Sequence, residues 1–275
     1  MLINSELPLC MLDRNLELNQ YDFVLYHLYE SSQVYKDYFL KVRKDYPERL
    51  MILDNSAYEF FIKGETLNMD KYVEAIIELK PDMYILPDTL MNMDKTLKDT
   101  KDFLEKYHIT HSEPLAVAQG NTQNELTACL LLYMDMGIKN IAIPFHNSFF
   151  KDTKVNEYNE YSMMTKYTTL ELTDDMKYAL GRVHWVGRNK DLLREFRHVH
   201  LLGSHCPYEK VYYNSGYTDA SIDTMDTGYP VKCAIEGFEL FKEPHKPNII
   251  IDDFLYKDLD CKDLIAKNVT IFKDL

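Results

Sequence analysis

Short apolar runs alternate with helical patterns along most of this chain. The runs that predict strands are 21–29, 48–54, 81–88, 113–120, 139–145 and 198–203. Apolar residues at helical spacing between them predict helices over 69–80, 93–107 and 122–137. Asn68 is placed to cap the first of these helices, and Gly137 is placed to end the last. The segment 146–196 is less regular, and 204–220 is predicted to be a long loop.

Strands that alternate with helices predict parallel pairing through βαβ units. Six to eight such units in 275 residues favour a TIM-like (β/α)8 barrel, with a doubly wound open sheet as the alternative. We therefore predict an α/β fold in which residues 1–275 form one domain. Its irregular segments are interpreted as loop insertions at the active face of the barrel.

The charge of the chain argues against a general nucleic-acid coat protein, because such proteins are basic and this chain carries a formal net charge of −13. A local basic patch is still possible within residues 181–200. Five basic residues there are predicted to contact a nucleic-acid backbone, with an ordinary solvated helix as the alternative. They are Arg182, Arg188, Lys190, Arg194 and Arg197.

The five cysteines are far apart and form no CxxC pair, which predicts free thiols in a reducing cytosol and no structural zinc. No apolar run reaches the roughly 18 residues that a membrane span needs, and the N-terminus does not have the pattern of a secretory signal. We expect no membrane partner, no cofactor and a cytoplasmic location, which would be the host cytoplasm for a viral protein. The oligomeric state is left open.

Polar residues follow several predicted strands directly. They are Asp54, Asp88, Gln119 with Gly120, Gly203 with Ser204, and either Asp223 or Asp226. Any one of them could simply cap the next helix. In a barrel, however, the carboxyl ends of the strands meet in one pocket, where several carboxylates would repel each other and raise at least one pKa. Such a pocket indicates a functional site. A metal-dependent hydrolase is poorly supported, because His184, His205 and Cys206 lack the spacing of a zinc site.

Five motifs in this order resemble those of the tRNA-guanine transglycosylases and their DNA-modifying, phage-type relatives. "LDNSAY" (53–58) resembles a DSGGF/Y segment, and "LPDTL" (86–90) resembles the segment with the base-reading aspartate. "AVAQGN" (116–121) is similar to VQGG, and "HLLGSH" (200–205) to YLMGVG. "SIDTMDTGYP" (221–230) resembles GIDMFDxxxP, which aligns the nucleophile of the family with Asp226.

The chain also departs from this family. The CxCxxC…H zinc motif has no counterpart, the chain is shorter, and "IAIPFHN" (141–147) replaces a glycine-rich segment. The compact form resembles the DNA-modifying relatives more than the tRNA enzymes. The resemblance therefore implies a barrel without the zinc-binding subdomain.

The resemblance implies a base exchange in which guanine leaves its sugar and a 7-deazaguanine replaces it. Asp226 would be the nucleophile, and Asp54 the general acid and base. Asp223 would support the loop beside Asp226, and the reverse assignment of these two aspartates is left open. The partners would be DNA or tRNA with a flipped-out guanine, and a free 7-deazaguanine. The alternatives are a tRNA-guanine transglycosylase and a non-catalytic base-binding subunit of such an enzyme.

The remaining residues of the implied pocket would bind the base. Asp88 would accept hydrogen bonds from guanine N1–H and the amino group, and Gln119 would donate to O6. Tyr58 and Leu202 would cover the two faces of the base. The full set implied to bind substrate is Asp88, Gln119, Gly120, Tyr58, Leu202, Gly203 and Asp223.

Overall fold

Eight parallel strands form one sheet in the computed structural model of this protein. The structure describes residues 1–145, 150, 174–215, 218–241, 247, 249 and 252–275. The strands are β1 Leu2–Ser5, β2 Asp22–Leu25, β3 Met51–Asp54, β4 Met83–Ile85, β5 Glu113–Val117, β6 Asn140–Pro144, β7 His198–Leu202 and β8 Thr224–Thr227.

The strand order in the sheet is β1-β8-β7-β6-β5-β4-β3-β2. From β2 to β8 each strand lies beside its neighbours in sequence, and β1 and β2 stand at the two ends of this order. The first and last strands of the chain also pair, because β8 runs parallel to β1 from Leu2↔Thr224 to Ser5↔Thr227. A doubly wound sheet would instead change direction at a switch point. The predicted (β/α)8 fold class is therefore confirmed. The prediction that residues 1–275 form a single domain stays a prediction.

Helices connect the strands throughout the part of the chain that the structure describes. A 3₁₀ helix spans Leu9–Arg14. The α-helices are Asn15–Leu18, Tyr26–Ser31, Gln33–Asp45, Ala57–Lys63, Met69–Leu79, Met93–Lys106, Gln123–Asp135, Asp174–Arg188, Lys190–Leu193, Pro207–Asn214, Tyr229–Ile235, Asp252–Leu255 and Lys262–Asp274.

Polar side chains fix the starts of several of these helices. Asn68 accepts a hydrogen bond from the Lys71 backbone N–H, which confirms it as a cap. Asn92 and Thr122 cap the next two long helices in the same way, each accepting a bond from the N–H three residues ahead. These caps explain why the helices that follow β4 and β5 begin where the sequence pattern places them.

The structure differs from the sequence-based expectation in three places. Only Asp22–Leu25 of the run 21–29 is a strand, because the chain turns into a helix at Tyr26. A fully buried helix and a buried strand both have continuous apolar sequences, so periodicity cannot separate them. The predicted loop 204–220 contains the helix Pro207–Asn214, with proline in its first turn. The described part of 146–196 contains the helix Asp174–Arg188, and residues 146–149 and 151–173 lie outside the described residues.

The chain divides into two compact units. The first unit comprises residues 1–20, 144–195 and 199–275, and the second comprises 21–143 and 196–198. In the second unit, the buried Tyr72 hydroxyl donates to the carbonyls of Leu53 (3.2 Å) and Ile85 (2.8 Å), which ties β3 to β4. In the first unit, the Lys210 ammonium donates to the Phe272 carbonyl (2.9 Å) and so helps to terminate the last helix. Among the described residues, no helix combines the length and the apolarity needed to cross a membrane.

Candidate active site

A cluster of carboxyl and amide groups follows β3, β4 and β5 in the second unit. It consists of Asp54, Asn55, Asp88 and Gln119, and we call it the carboxylate–amide cluster. Asn55 Nδ2 donates to Asp88 Oδ1 (2.9 Å) and to the Leu86 carbonyl (2.8 Å). Gln119 Nε2 donates to Asp88 Oδ2 (2.7 Å). The structure thus brings Asp88 and Gln119 into direct contact, with Asn55 as a third member that the sequence analysis did not single out.

Asp88 is the centre of this cluster and carries its main electrostatic perturbation. Burial raises the pKa of the Asp88 carboxyl, while the hydrogen bonds from Asn55 and Gln119 act in the opposite direction. Each carboxylate oxygen accepts one of these two bonds and keeps a second lone pair. Asp88 can therefore accept further N–H donors from a bound molecule without giving up its protein partners.

Gln119 is held at both ends of its amide. Its Oε1 accepts from the Met91 backbone N–H (2.9 Å), and its Nε2 donates to Asp88. These two contacts define which end of the amide carries the nitrogen. Nε2 has a second hydrogen, which remains suited to an acceptor such as a base carbonyl.

Asp54 is the last residue of β3 and is held by a tight turn. Its Oδ2 accepts a hydrogen bond from the Ser56 backbone N–H (2.7 Å). Ser56 has a left-handed backbone with φ of 56°, which is unfavourable for a residue other than glycine. The buried Ser56 hydroxyl lies 3.0 Å from His27 Nδ1 and accepts from the His27 N–H (3.1 Å). Unfavourable backbone held by such contacts is typical of functional turns.

A second cluster lies on β7 and β8 in the first unit. It consists of His200, Gly203 and Asp226, and we call it the β7–β8 cluster. Asp226 Oδ1 lies 2.8 Å from the Gly203 backbone nitrogen and 3.1 Å from His200 Nε2. A carboxylate can only accept, so both nitrogens donate. None of the described residues donates a hydrogen bond to Asp226 Oδ2. One oxygen of Asp226 is therefore anchored twice, and the carboxylate orientation is fixed.

His200 is itself held by β8. Its Nδ1 lies 2.8 Å from Thr224 Oγ1, and both side chains are fully buried. With Nε2 donating to Asp226, a neutral imidazole accepts the Thr224 hydroxyl proton at Nδ1. The tautomer and ring orientation of His200 follow from these two partners.

Arg182 and Glu209 form a buried ion pair beside this cluster. Both side chains are 0% exposed, and Arg182 Nε lies 2.6 Å from Glu209 Oε1. Burial by itself lowers the pKa of the Arg182 guanidinium, but the charge and hydrogen bonds of Glu209, with a smaller contribution from the charge of Asp226, raise it above its usual value. Arg182 therefore carries its charge in the interior, facing both carboxylates.

No protein-family model matches this sequence, and no curated protein matches it. A solved structure described as the crystal structure of KGPDC from Streptococcus mutans covers 96% of this chain and 98% of that chain. The sequence identity is 12% and the TM-score is 0.39. Similarity at this level carries no argument about this chain.

Asp223 does not lie where a substrate-binding residue is expected, and this prediction is corrected. It comes just before β8, which begins at Thr224, and its Oδ2 accepts from the Val199 backbone N–H (2.8 Å) at the start of β7. Three residues of extended chain separate it from Asp226, a distance of roughly 10 Å. Asp223 therefore joins the amino ends of β7 and β8, and it supports strand pairing instead of the loop beside Asp226.

Arg182 cannot contact a nucleic-acid backbone, and this prediction is also wrong. Its guanidinium is fully buried and bonded to Glu209 and to the carbonyls of Leu202 and Gly203. The sequence analysis assigned it to a solvated basic patch because basic residues cluster around it. Helical periodicity places position 182 about 120° around the helix from Arg188, which is exposed.

The other four residues of the predicted basic patch lie near the amino end of β7. Arg188 ends the helix Asp174–Arg188, and the chain then runs to β7 at His198. Arg194 pairs with Asp191 (2.9 Å), Lys190 lies 3.6 Å from Asp219 Oδ2, and Arg197 pairs with Glu113. A site at the carboxyl ends of the strands would be at the other end of β7, so these residues are poorly placed to hold a polymer there.

The remaining predicted pocket residues have mixed environments. Tyr58 is 49% exposed in the first turn of the helix Ala57–Lys63, and Leu202 is half-buried at the end of β7. A Cβ at Gly120 would lie 2.8 Å from Glu125 Cβ, so close packing against the following helix explains this glycine. Contacts of these residues with a base, and the convergence of Asp54 and Asp226 on one mouth, stay predictions.

Three residues with clear roles in or beside the two clusters were missed from the sequence. Asn55 directly follows Asp54 in the quoted motif, and His200 is a polar residue inside an otherwise apolar strand. Both positions could have been recognised from those signals. Glu209 gave no signal, because it lies in the segment that was predicted to be a loop. Within the described residues, no three His, Cys, Asp or Glu side chains are grouped so that they could hold a metal ion.

Proposed function

We propose that this protein is a base-exchange transglycosylase that replaces guanine in a nucleic acid, with DNA favoured, by a 7-deazaguanine. The observation that carries the proposal is the anchored carboxylate of Asp226. His200 and Gly203 hold Oδ1, and Oδ2 receives no hydrogen bond from the described residues. A carboxylate that acts as a nucleophile needs one oxygen that is oriented and not engaged.

In this proposal, Asp226 Oδ2 attacks C1′ of the target nucleotide. The bond between C1′ and the guanine nitrogen breaks, its electron pair moves onto the base, and the base takes a proton from Asp54. The product is a glycosyl ester on Asp226. The incoming 7-deazaguanine then gives a proton to Asp54 and attacks C1′, and Asp226 leaves as a carboxylate. Because the sugar is attacked twice, its configuration is retained.

The carboxylate–amide cluster supports guanine as the exchanged base. Guanine presents N–H donors at N1 and the 2-amino group, and a carbonyl acceptor at O6. Asp88 offers acceptor lone pairs, and Gln119 Nε2 offers a second N–H. The two side chains touch, as neighbouring groups on one edge of a base require. The base must leave its helix or loop to be reached, as in other enzymes that act on bases.

The test is base exchange with a defined polymer. Purified protein is incubated with duplex DNA or tRNA that contains labelled guanine, together with candidate 7-deazaguanines. We expect release of labelled guanine from DNA and a protein–DNA adduct that survives denaturation when the incoming base is withheld. Release of labelled guanine from tRNA alone would identify tRNA as the polymer and would still support the proposed reaction. Binding of the polymer without release or adduct would favour the non-catalytic subunit and refute the proposal.

A further inference from the structure

The buried ion pair between Arg182 and Glu209 needs an explanation beyond stability. Both side chains are 0% exposed. Burying two charges costs about as much as their attraction gains, so an apolar pair of similar volume would stabilise the fold equally well. The contacts around the pair indicate what it does instead.

Arg182 binds two successive carbonyl groups at the point where β7 ends and the following turn begins. Its Nη1 donates to the Leu202 carbonyl (2.7 Å), and its Nη2 donates to the Gly203 carbonyl (3.0 Å). The same guanidinium holds both oxygens of Glu209, at 2.6 Å and 2.8 Å. A planar fork of donors can make all four contacts at once, whereas a lysine ammonium cannot.

Glu209 holds the next residue of the turn. Its Oε2 accepts from the Ser204 hydroxyl (2.9 Å). Arg182 and Glu209 therefore fix three successive residues, Leu202, Gly203 and Ser204. Gly203 has a left-handed backbone with φ of 56°, so a specific turn is being held.

The turn faces Asp226 with its backbone amides. Gly203 N–H donates to Asp226 Oδ1 (2.8 Å), and Ser204 N–H donates to the Asp226 carbonyl (3.0 Å). Arg182 holds the carbonyl of Gly203, and the N–H of the same residue holds the Asp226 carboxylate. A shift of the Gly203 backbone would therefore reach Asp226 through the single hydrogen bond from the Gly203 N–H.

We propose that Arg182 and Glu209 are positioning residues that set the Gly203 turn and thereby orient the Asp226 carboxylate for attack on the sugar. This inference rests on the proposed function for its catalytic consequence. It predicts that weakening the ion pair slows the attack step more than it weakens binding of the base, because neither side chain belongs to the carboxylate–amide cluster that would bind the edge of the base.

The first measurement is the single-turnover rate of adduct formation in Arg182→Lys, with base affinity and folding measured in parallel. We expect the rate to fall by on the order of 10- to 100-fold, as for other small displacements of a reacting group, and base affinity to fall by much less. Arg49→Lys is the matched control, because Arg49 pairs with the buried Asp22 (2.8 Å) at the amino end of β2. The control should lose stability and keep the rate. Equal rates in Arg182→Lys and wild type would overturn the inference.

The second measurement does not depend on activity. The backbone amide resonance of Gly203 reports its hydrogen bond to Asp226, and it should move as the pH is taken through the ionisation of that carboxyl. Asp226→Asn should abolish the movement, and Arg182→Lys should reduce it. An unchanged movement in Arg182→Lys overturns the positioning role whatever the enzyme does. If the Gly203 resonance moves less in Arg182→Lys but the wild-type protein forms no adduct, the positioning role is kept and the proposed function is refuted.

Glu209→Gln provides the same test if Arg182→Lys does not fold. The amide keeps the shape of the side chain but removes the charge and one acceptor, so both the Arg182 and Ser204 contacts are weakened. We expect the same loss of adduct rate and the same reduced movement of the Gly203 resonance, each to a smaller degree. A folded Glu209→Gln protein with wild-type values for both would contradict the proposal.

Discussion

Asp226 can be changed in two ways that separate its structural role from its chemical role. In Asp226→Asn, an amide oxygen can keep both donors that reach Oδ1, namely the Gly203 N–H and His200 Nε2–H. The weaker bonds to a neutral acceptor are offset because a buried charge is removed. We expect this variant to fold with a stability within about 1 kcal/mol of wild type.

Asp226→Ala removes the acceptor and leaves the two donors without a partner. An unsatisfied buried donor costs about 1–3 kcal/mol. His200 is fully buried and the Gly203 contact is partly buried, so we expect a loss of about 2 kcal/mol. The burial of His200 prevents water from replacing the lost contact. For a chain of this size, about 2 kcal/mol corresponds to a decrease in Tm of roughly 4–8 °C.

The assay combines thermal unfolding with adduct formation on guanine-containing polymer. Neither variant should form an adduct, and Asp226→Ala should unfold at a clearly lower temperature than Asp226→Asn. Asp223→Ala is the comparison, because Asp223 accepts only at the amino end of β7. It should lose stability and still form the adduct. Adduct formation by Asp226→Asn would place the nucleophile elsewhere, and equal Tm values for the two Asp226 variants would refute the anchoring of Oδ1.

Three further predictions follow from other parts of the structure. Gly120→Ala should lower stability by about 1–3 kcal/mol in urea unfolding, because its Cβ would meet Glu125 Cβ at 2.8 Å; Gly187→Ala, with ordinary contacts of 3.7 Å or more, should cause no loss. The raised pKa of Asp88 stabilises the fold fully below its unfolded value of about 3.9, and this contribution is lost as pH rises through the folded pKa. Wild type should therefore lose stability relative to Asp88→Asn as the pH rises above about 4, and a constant difference would contradict this. Replacing both Arg188 and Arg194 by Gln should leave the salt dependence of DNA affinity unchanged. If the slope of log affinity against log salt concentration fell by about one unit per residue replaced, the predicted basic patch would be supported instead.

The sequence alone was sufficient for the fold class. Apolar runs of strand length separated by capped helical patterns define βαβ units, and parallel strands with such connections form few architectures. The helix caps Asn68 and Thr122 were local signals, since each uses only its own side chain and an N–H three residues ahead. The strand β1 was missed because four residues at a chain end give too short a pattern.

The sequence also determined which polar residues follow strands. Asp54 ends β3, and Asp88 and Gln119 come shortly after β4 and β5, as predicted. It could not determine that Asn55 joins Asp88 to β3, because that contact spans 33 residues and depends on the register of two strands. Residue type and order give candidates, and the pairing of strands selects their partners.

Tertiary structure alone decided the roles of the charged residues in and around the β7–β8 cluster. Arg182 and Arg188 look alike in sequence, but one is fully buried against Glu209 and the other is exposed, because a helix turns residues through different faces. Asp223 and Asp226 also look alike in sequence. They differ because β8 begins at Thr224, which leaves one carboxylate at the amino end of the strand and brings the other beside Gly203. The position of a charge along its strand or around its helix, and not its identity, determines what it can do.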